Sequence, residues 1–415
     1  MFRKFLGLAA LCAGVGLGWV AYPAASCPLC DQVDLTFAEE MDSADVVVIA
    51  EEVKVAAPKS EPPAKISLLS PAAKSKFRIT QILKGEQHLG KTQEFEVLYF
   101  GSQPAGTKFY AIANDPLMLT WSTPIPLTER SFKYLSQLPS LPKEGAARLT
   151  FFYNHLEDEE DMLARDAYDE FAKAPYEWVK DLKPKMDHDQ LVAWIKNDKI
   201  AASRRRLYLV MLGACGSEKD LVMLKQMLTS GERESKFVLD ALVACYLTLA
   251  GPEGMTLIED AFLKNPKADY ADTWSAIQAL RVLGQMSERI PKERLVQGFR
   301  HMLDRPQLAD LVIPDLSRWE DWDSMDRLVE LFKESQDSGS FIRVPVIRFL
   351  MVCPRPEAKK YLDELAQLDP NAMKRATTFP ALIRRSDKKD DSNVARPKKA
   401  DKPAAAPAAG EEEKK

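Results

Sequence analysis

Histidine is scarce in this chain, four in 415 residues, and the four are scattered, so no close histidine pair offers itself to a metal. Six cysteines are present, of which only Cys27 and Cys30 stand near each other, and a tetrahedral zinc site needs two further ligands that no second C-x-x-C supplies. A basic excess is also missing. The formal net charge is −4, which gives a polyanion nothing to be drawn to, so no nucleic-acid partner is expected. After the N-terminus no run approaches the length of a membrane span. The motifs of nucleophilic, metal-dependent and nucleotide-dependent enzymes are absent: no G-x-S-x-G, no H-E-x-x-H, no G-x-G-x-x-G after a strand, no phosphate-binding glycine loop. A binding protein without cofactor or metal is the expectation that these absences leave.

What is there begins with an address. Met1 to Ser26 reads as an export signal, with Arg3 and Lys4 ahead of an apolar stretch from Phe5 to Val20 and small residues Ala24, Ala25 and Ser26 at the end. Cleavage there leaves Cys27 first in the mature chain. AASC resembles a bacterial lipoprotein box, with Ala24 where a leucine is usual, and that resemblance implies acylation of Cys27. An uncleaved signal is the other route to a membrane. Either way the compartment is extracytoplasmic, periplasmic or secreted, where thiols pair. Cys27-Pro28-Leu29-Cys30 then reads as a local structural disulfide. The rival reading is a thiol-disulfide redox pair, whose nucleophilic thiol needs a lowered pKa. Haem attachment is excluded by Asp31 in the place of histidine.

Residues 27–114 are β-rich. Asp45 to Ala50 is a β-branched run, and further strands are expected at Phe77 to Leu83, Gln93 to Tyr99 and Lys108 to Ala113, with a Pro-, Ala- and Lys-rich loop at residues 54–76. The segments SADVVVIAEEV, FRITQILKGE and YFGSQPAGTKFYAIA resemble the TIMP/netrin type of OB-fold module. That resemblance implies a small β-barrel in which Cys27 could chelate a protease's zinc, which would make the module a metalloprotease inhibitor. The cysteine spacing departs from that family.

Residues 115–144 form a proline-punctuated connector with one helix at Glu129 to Gln137. From 145 to 383 the apolar period is 3.6 and the helices come in pairs. Leu209, Leu242, Leu280, Leu316 and Leu350 serve as equivalent anchors spaced by a little over thirty residues, the mark of a helical solenoid. Within one pair, Val238, Ala241, Leu242, Cys245 and Leu249 share a face, Gly251-Pro252 breaks the helix, and Leu257, Ile258, Ala261 and Phe262 form the next stripe. The run over residues 148–368 resembles HEAT-like repeats, and Pro314 and Pro345 inside first helices match the kinked first helix of that family. Residues 384–415 have almost no apolar side chain and are expected to be disordered. The fold class is therefore multidomain α+β, a small antiparallel β-barrel of OB type followed by an all-α helical-repeat solenoid.

Candidate sites are few. Arg204, Arg205 and Arg206 could take an anion, or edge a helix. Trp319 and Trp322 flank a turn and could anchor a partner, or pack between hairpins. The acidic run at residues 157–161 and the Asp187-His188-Asp189 triplet read as helix-start chemistry rather than cation sites. Cys215, Cys245 and Cys353 fall on or beside inner helix faces. Solenoids bind along extended surfaces, so the expected function is a scaffold for a protein or peptide partner.

Overall fold

The structure is a computed structural model that describes residues 29–30, 33–53, 74–287, 289–335 and 341–378. The export signal, Cys27, most of the loop at 54–76 and the tail at 384–415 lie outside the described residues. The fold class is the one the periodicities imply, a nearly closed antiparallel sheet followed by a helical region.

Strands β1 (Val46–Glu52), β2 (Lys74–Lys84), β3 (Glu94–Leu98), β4 (Lys108–Asn114) and β5 (Thr120–Trp121) lie in the order β3-β2-β1-β4-β5, and β6 (Ile125–Leu127) also pairs with β4. The sheet thus runs past residue 114 into the connector. Its two edge strands, β3 and β5, meet through side chains: the Phe95 and Trp121 rings stack with centroids 3.9 Å apart. In β1, Val46 through Ala50 are all buried, because both faces of the strand are covered. Val46, Val48 and Ala50 point into a core with Phe77, Phe95 and Phe109. Val47 and Ile49 join Tyr110 and Leu127 in the large core shared with the helices. A strand buried on two faces reads as a continuous apolar run instead of an alternating one.

Helix α1 (Phe37–Ser43) precedes the sheet and the single turn α2 (Glu86–Leu89) sits between β2 and β3. α1 starts with a capping box, in which the Thr36 hydroxyl accepts from the Glu39 amide and the Glu39 carboxylate accepts from the Thr36 amide. Helices α3 (Glu129–Gln137), α4 (Ala146–Tyr153), α5 (Asp161–Lys173), α6 (Tyr176–Asp181) and α7 (His188–Lys196) lead into the repeats. There α8 (Ala202–Cys215) pairs with α9 (Leu221–Thr229). After the short α10 (Arg233–Lys236), α11 (Leu239–Ala250) pairs with α12 (Met255–Ile258) and a π-helical turn, Glu259–Leu263. The pairs α13 (Tyr270–Met286) with α14 (Lys292–Arg300), α15 (Ile313–Arg318) with α16 (Met325–Glu334) and α17 (Arg343–Val352) with α18 (Pro356–Leu368) follow, and α19 (Pro370–Thr378) ends the described chain.

All five anchor leucines are buried, one on each of α8, α11, α13, α15 and α17. Polar contacts repeat with them. Arg206 Nε donates to Asp240 at 3.0 Å across 34 residues, Arg281 Nε to Asp315 at 2.8 Å across 34, and Tyr361 Oη to Asp326 at 3.0 Å across 35. With Arg294 of α14 bonded to Glu259 of the π-helical turn, also across 35 residues, rungs of about the repeat length join successive hairpins, which is the contact pattern of a quasi-one-dimensional array.

Two expectations need correction. Pro314 and Pro345 do not kink helix interiors: each stands in the first turn of its helix, α15 and α17, where a missing N–H removes no intrahelical bond. The stretch Leu239–Leu263 does reach 25 residues with the length and apolarity of a membrane span. It is nonetheless broken at Gly251, whose φ of 73° ends α11, and both halves contribute buried side chains to the shared core.

Among the described residues two buried guanidinium groups, those of Arg205 and Arg305, serve carbonyls at helix ends. Arg305, 6% exposed, donates from one nitrogen to the Phe262 carbonyl (2.8 Å), the Leu263 carbonyl (3.3 Å) and Thr273 Oγ1 (3.3 Å). Those carbonyls end the π-helical turn and have no further helix to accept from. Arg305→Met keeps the packing volume and strips these bonds, so urea denaturation should show a loss of about 1–2 kcal/mol. An unchanged midpoint would mean that water serves the carbonyls equally well.

Candidate binding site

The first helices of three successive pairs, α8, α11 and α13, enclose a narrow apolar cleft of about 50 Å³. Small side chains help make the room: Gly213 on α8 and Ala244 on α11 line it together with Leu209, Thr248 and Leu283. Tyr176 of α6 closes one end, and Leu29, from the N-terminal segment, enters at another. Leu29 is only 7% exposed. An apolar side chain from outside the repeats is thus already seated on their surface, burying area worth on the order of 1.5–3 kcal/mol. Cys245 also lines the cleft, and burial holds its thiol well above the ordinary range, which makes it a packing residue and not a nucleophile.

The segment that carries Leu29 is strapped to α5. Lys173 Nζ donates to the Asp34 carbonyl (2.6 Å), Arg165 pairs with the Asp34 carboxylate, the Phe37 amide donates to Asp166 (2.7 Å), and the Thr36 hydroxyl donates to Glu170 (2.8 Å). Glu170 is gripped from its other side by Arg148, whose Nε and Nη2 reach its two oxygens at 2.8–3.0 Å. Asp166 also accepts from Tyr134 Oη at 2.6 Å. Burial lifts Asp166 to about 6, against the hydrogen bonds from Tyr134 and Phe37. Three carboxylates at positions 166, 169 and 170 thus lie buried on one helix. Their i, i+3, i+4 spacing puts the three acids on one face of α5.

Of the residues singled out from sequence, Cys27 lies outside the described residues. Cys30 is half-buried and disulfide-bonded. The three arginines of α8 diverge. Arg204 Nε lies 3.3 Å from Glu157, Arg205 is buried and donates to the Ile195 carbonyl at 2.9 Å, and Arg206 reaches Asp240. Successive helical positions point about 100° apart, so the run does not converge on one ligand. Trp319 stacks on Phe299 at 5.2 Å, and a Cβ on Gly284 would come within 2.4 Å of its ring. Trp322 meets Phe349 edge-on at 5.2 Å. One ring packs against the preceding pair and the other against the following one, and both stay partly exposed.

The acidic turn is absorbed by neighbours. Glu157 accepts from Tyr208, Asp158 from Arg130, and Glu160 from Thr128. Asp187 caps α7 by accepting from the Gln190 amide at 3.0 Å, while His188 Nε2 lies 2.8 Å from Asp220. No family model matches this chain, and neither a curated protein nor a solved structure matches it.

Proposed function

We propose that this protein is an exported scaffold of the cell envelope that holds an apolar segment of a protein or peptide partner along its helical repeats. On this reading the repeats are of HEAT-like type and the sheet is an OB-fold module of the TIMP/netrin kind that closes one end of the array. The observation that carries the proposal is the seat of Leu29 in the cleft of α8, α11 and α13: the cleft accepts a side chain offered by a non-helical strand of chain. Small residues at 213 and 244 line it, and helices of three successive pairs supply most of its walls, so the pocket depends on the stacking of the pairs. An envelope address follows from the N-terminal signal, with attachment through a lipid on Cys27 or through the uncleaved signal.

The test is site-specific photo-crosslinking in cells that export the protein. A crosslinker at Thr248, in the cleft, should trap a second polypeptide, whereas one at Gln226, exposed on α9, should not. Equal yields at the two positions, or only crosslinks back to the protein's own N-terminal segment, would overturn the proposal.

A further inference from the structure

We propose that a second pocket, between α5 and the start of α8, binds a small zwitterion, a free α-amino acid, with its ammonium group on Asp169 and its carboxylate at the first turn of α8. The pocket has a volume of about 240 Å³ and is lined by Asp161, Arg165, Asp169, Ala201, Ser203 and Arg204, with Tyr168.

Its acidic wall is built around one residue. Asp169 is 5% exposed, and no hydrogen bond to its carboxylate is formed among the described residues. The charges that face it are Arg165 and Lys173 of its own helix, and Asp34 and Glu39 from the N-terminal segment and α1. Those four nearly cancel, and both cations are already engaged, Arg165 with Asp34 and Lys173 with Glu39. The residue is covered except where its carboxylate opens into the pocket, so the donors that it lacks can come only from what the pocket holds. An ammonium group supplies the missing donors and the missing charge in one step.

The opposite wall is a helix start with no cap. α8 has 14 residues, its N-cap is Ala201, and among the described residues no side chain accepts from its first amides. Serine, threonine, aspartate or asparagine usually fills that place, and an uncapped first turn presents bare N–H groups and the positive end of the helix dipole. Ser203, one residue into the helix, adds a hydroxyl on the pocket wall. A carboxylate is the group that such a turn recognises.

The two walls together select the ligand. A lone anion would meet Asp169 and Asp161, and a lone cation would meet Arg165 and Arg204. A molecule with an ammonium and a carboxylate group on one carbon satisfies both walls within one small pocket, and a peptide, whose termini stand apart, does not.

Calorimetric titration of the full chain with glycine, acetate and methylamine tests this. Glycine should bind saturably at neutral pH, and acetate and methylamine each at least about tenfold more weakly, the effect of one missing charged hydrogen bond. Asp169→Asn should lose at least about tenfold in glycine affinity while its circular dichroism and melting remain those of a folded protein. Ser203→Ala should weaken glycine and leave methylamine unchanged. Glycine affinity should fall as the pH drops through about 6, where Asp169 takes up a proton. Absence of saturable glycine binding to the folded chain, or a D169N variant that binds glycine as tightly as the parent, would overturn the assignment.

Discussion

Replacing Arg148 with methionine lowers the unfolding free energy by about 3–5 kcal/mol, the usual consequence of leaving one member of a buried ion pair alone. Glu170 is 8% exposed and depends on Arg148 for three of its contacts at 3.0 Å or less. The Thr36 hydroxyl, its remaining partner, carries no charge. Once the guanidinium is gone, the carboxylate must be protonated, hydrated or exposed, and each outcome loosens α1 from α5. Urea denaturation at neutral pH measures the loss. The double variant R148M/E170L should recover most of it, since the penalty belongs to the stranded charge and not to the missing pair. If R148M shifts the midpoint no more than an ordinary surface substitution, about 0.5 kcal/mol, the ion pair is solvated and the strap is held by its apolar contacts.

The opposite sign is expected at Asp169. Burial raises its pKa from 3.8 to about 6, with Arg165 and Lys173 pulling back only part of the way. Because the folded value lies above the unfolded one, stability linked to this group is fully present below 3.8 and is lost as the pH rises through about 6. Asp169→Asn escapes that loss. The variant should therefore be more stable than the parent at neutral pH, by about 1–2 kcal/mol once screening by water in the open pocket is allowed for. The advantage should shrink on acidification and vanish near the ordinary aspartate range. Chemical denaturation across that pH window checks it. Asp166, lifted to a similar value, leaves a residual slope in the same direction in both proteins. A D169N variant that is less stable at neutral pH would show that the carboxylate has a donor after all. A residue that weakens the fold where a neutral isostere would strengthen it is the kind of position that function retains.

Much of the architecture was legible because its causes are local. The five anchor leucines follow from a 3.6 period repeated at a nearly fixed interval, and the connector's one helix runs from Glu129 to Gln137 as expected, opened by the Thr128 cap. Strand β1 announced itself by an unbroken run of β-branched residues. Helix α1 was missed although Thr36 and Glu39 spell a capping box, because only Met41 of its residues is fully buried and no apolar stripe stands out. Strands β5 and β6 were read as connector, being two and three residues long; the partner β4 makes them strands, not their own sequence. Pro314 and Pro345 do fall inside first helices, but in the first turn, where proline removes no intrahelical bond and a kink need not follow; sequence alone places a boundary only to within a few positions.

The sites were less legible for a different reason. The cleft joins Leu29 to α8, α11 and α13, contacts between residues some two hundred positions apart, and no spacing rule reaches that far. The pocket beside Asp169 is defined by a helix start nearly as distant from it as one repeat is long. Arg204 to Arg206 looked like a cluster in sequence, and helical geometry sends the three to different neighbours.

The rungs between consecutive hairpins, Arg206 to Asp240 and Arg281 to Asp315 among them, join each pair only to the next. Deformation is therefore shared out step by step along the array, as in a stack of plates linked at their rims. A small tilt at each joint can sum to a large change in curvature without any single contact being broken. The end carrying the sheet is tied down by a common interior, so bending of this sort would swing the opposite end.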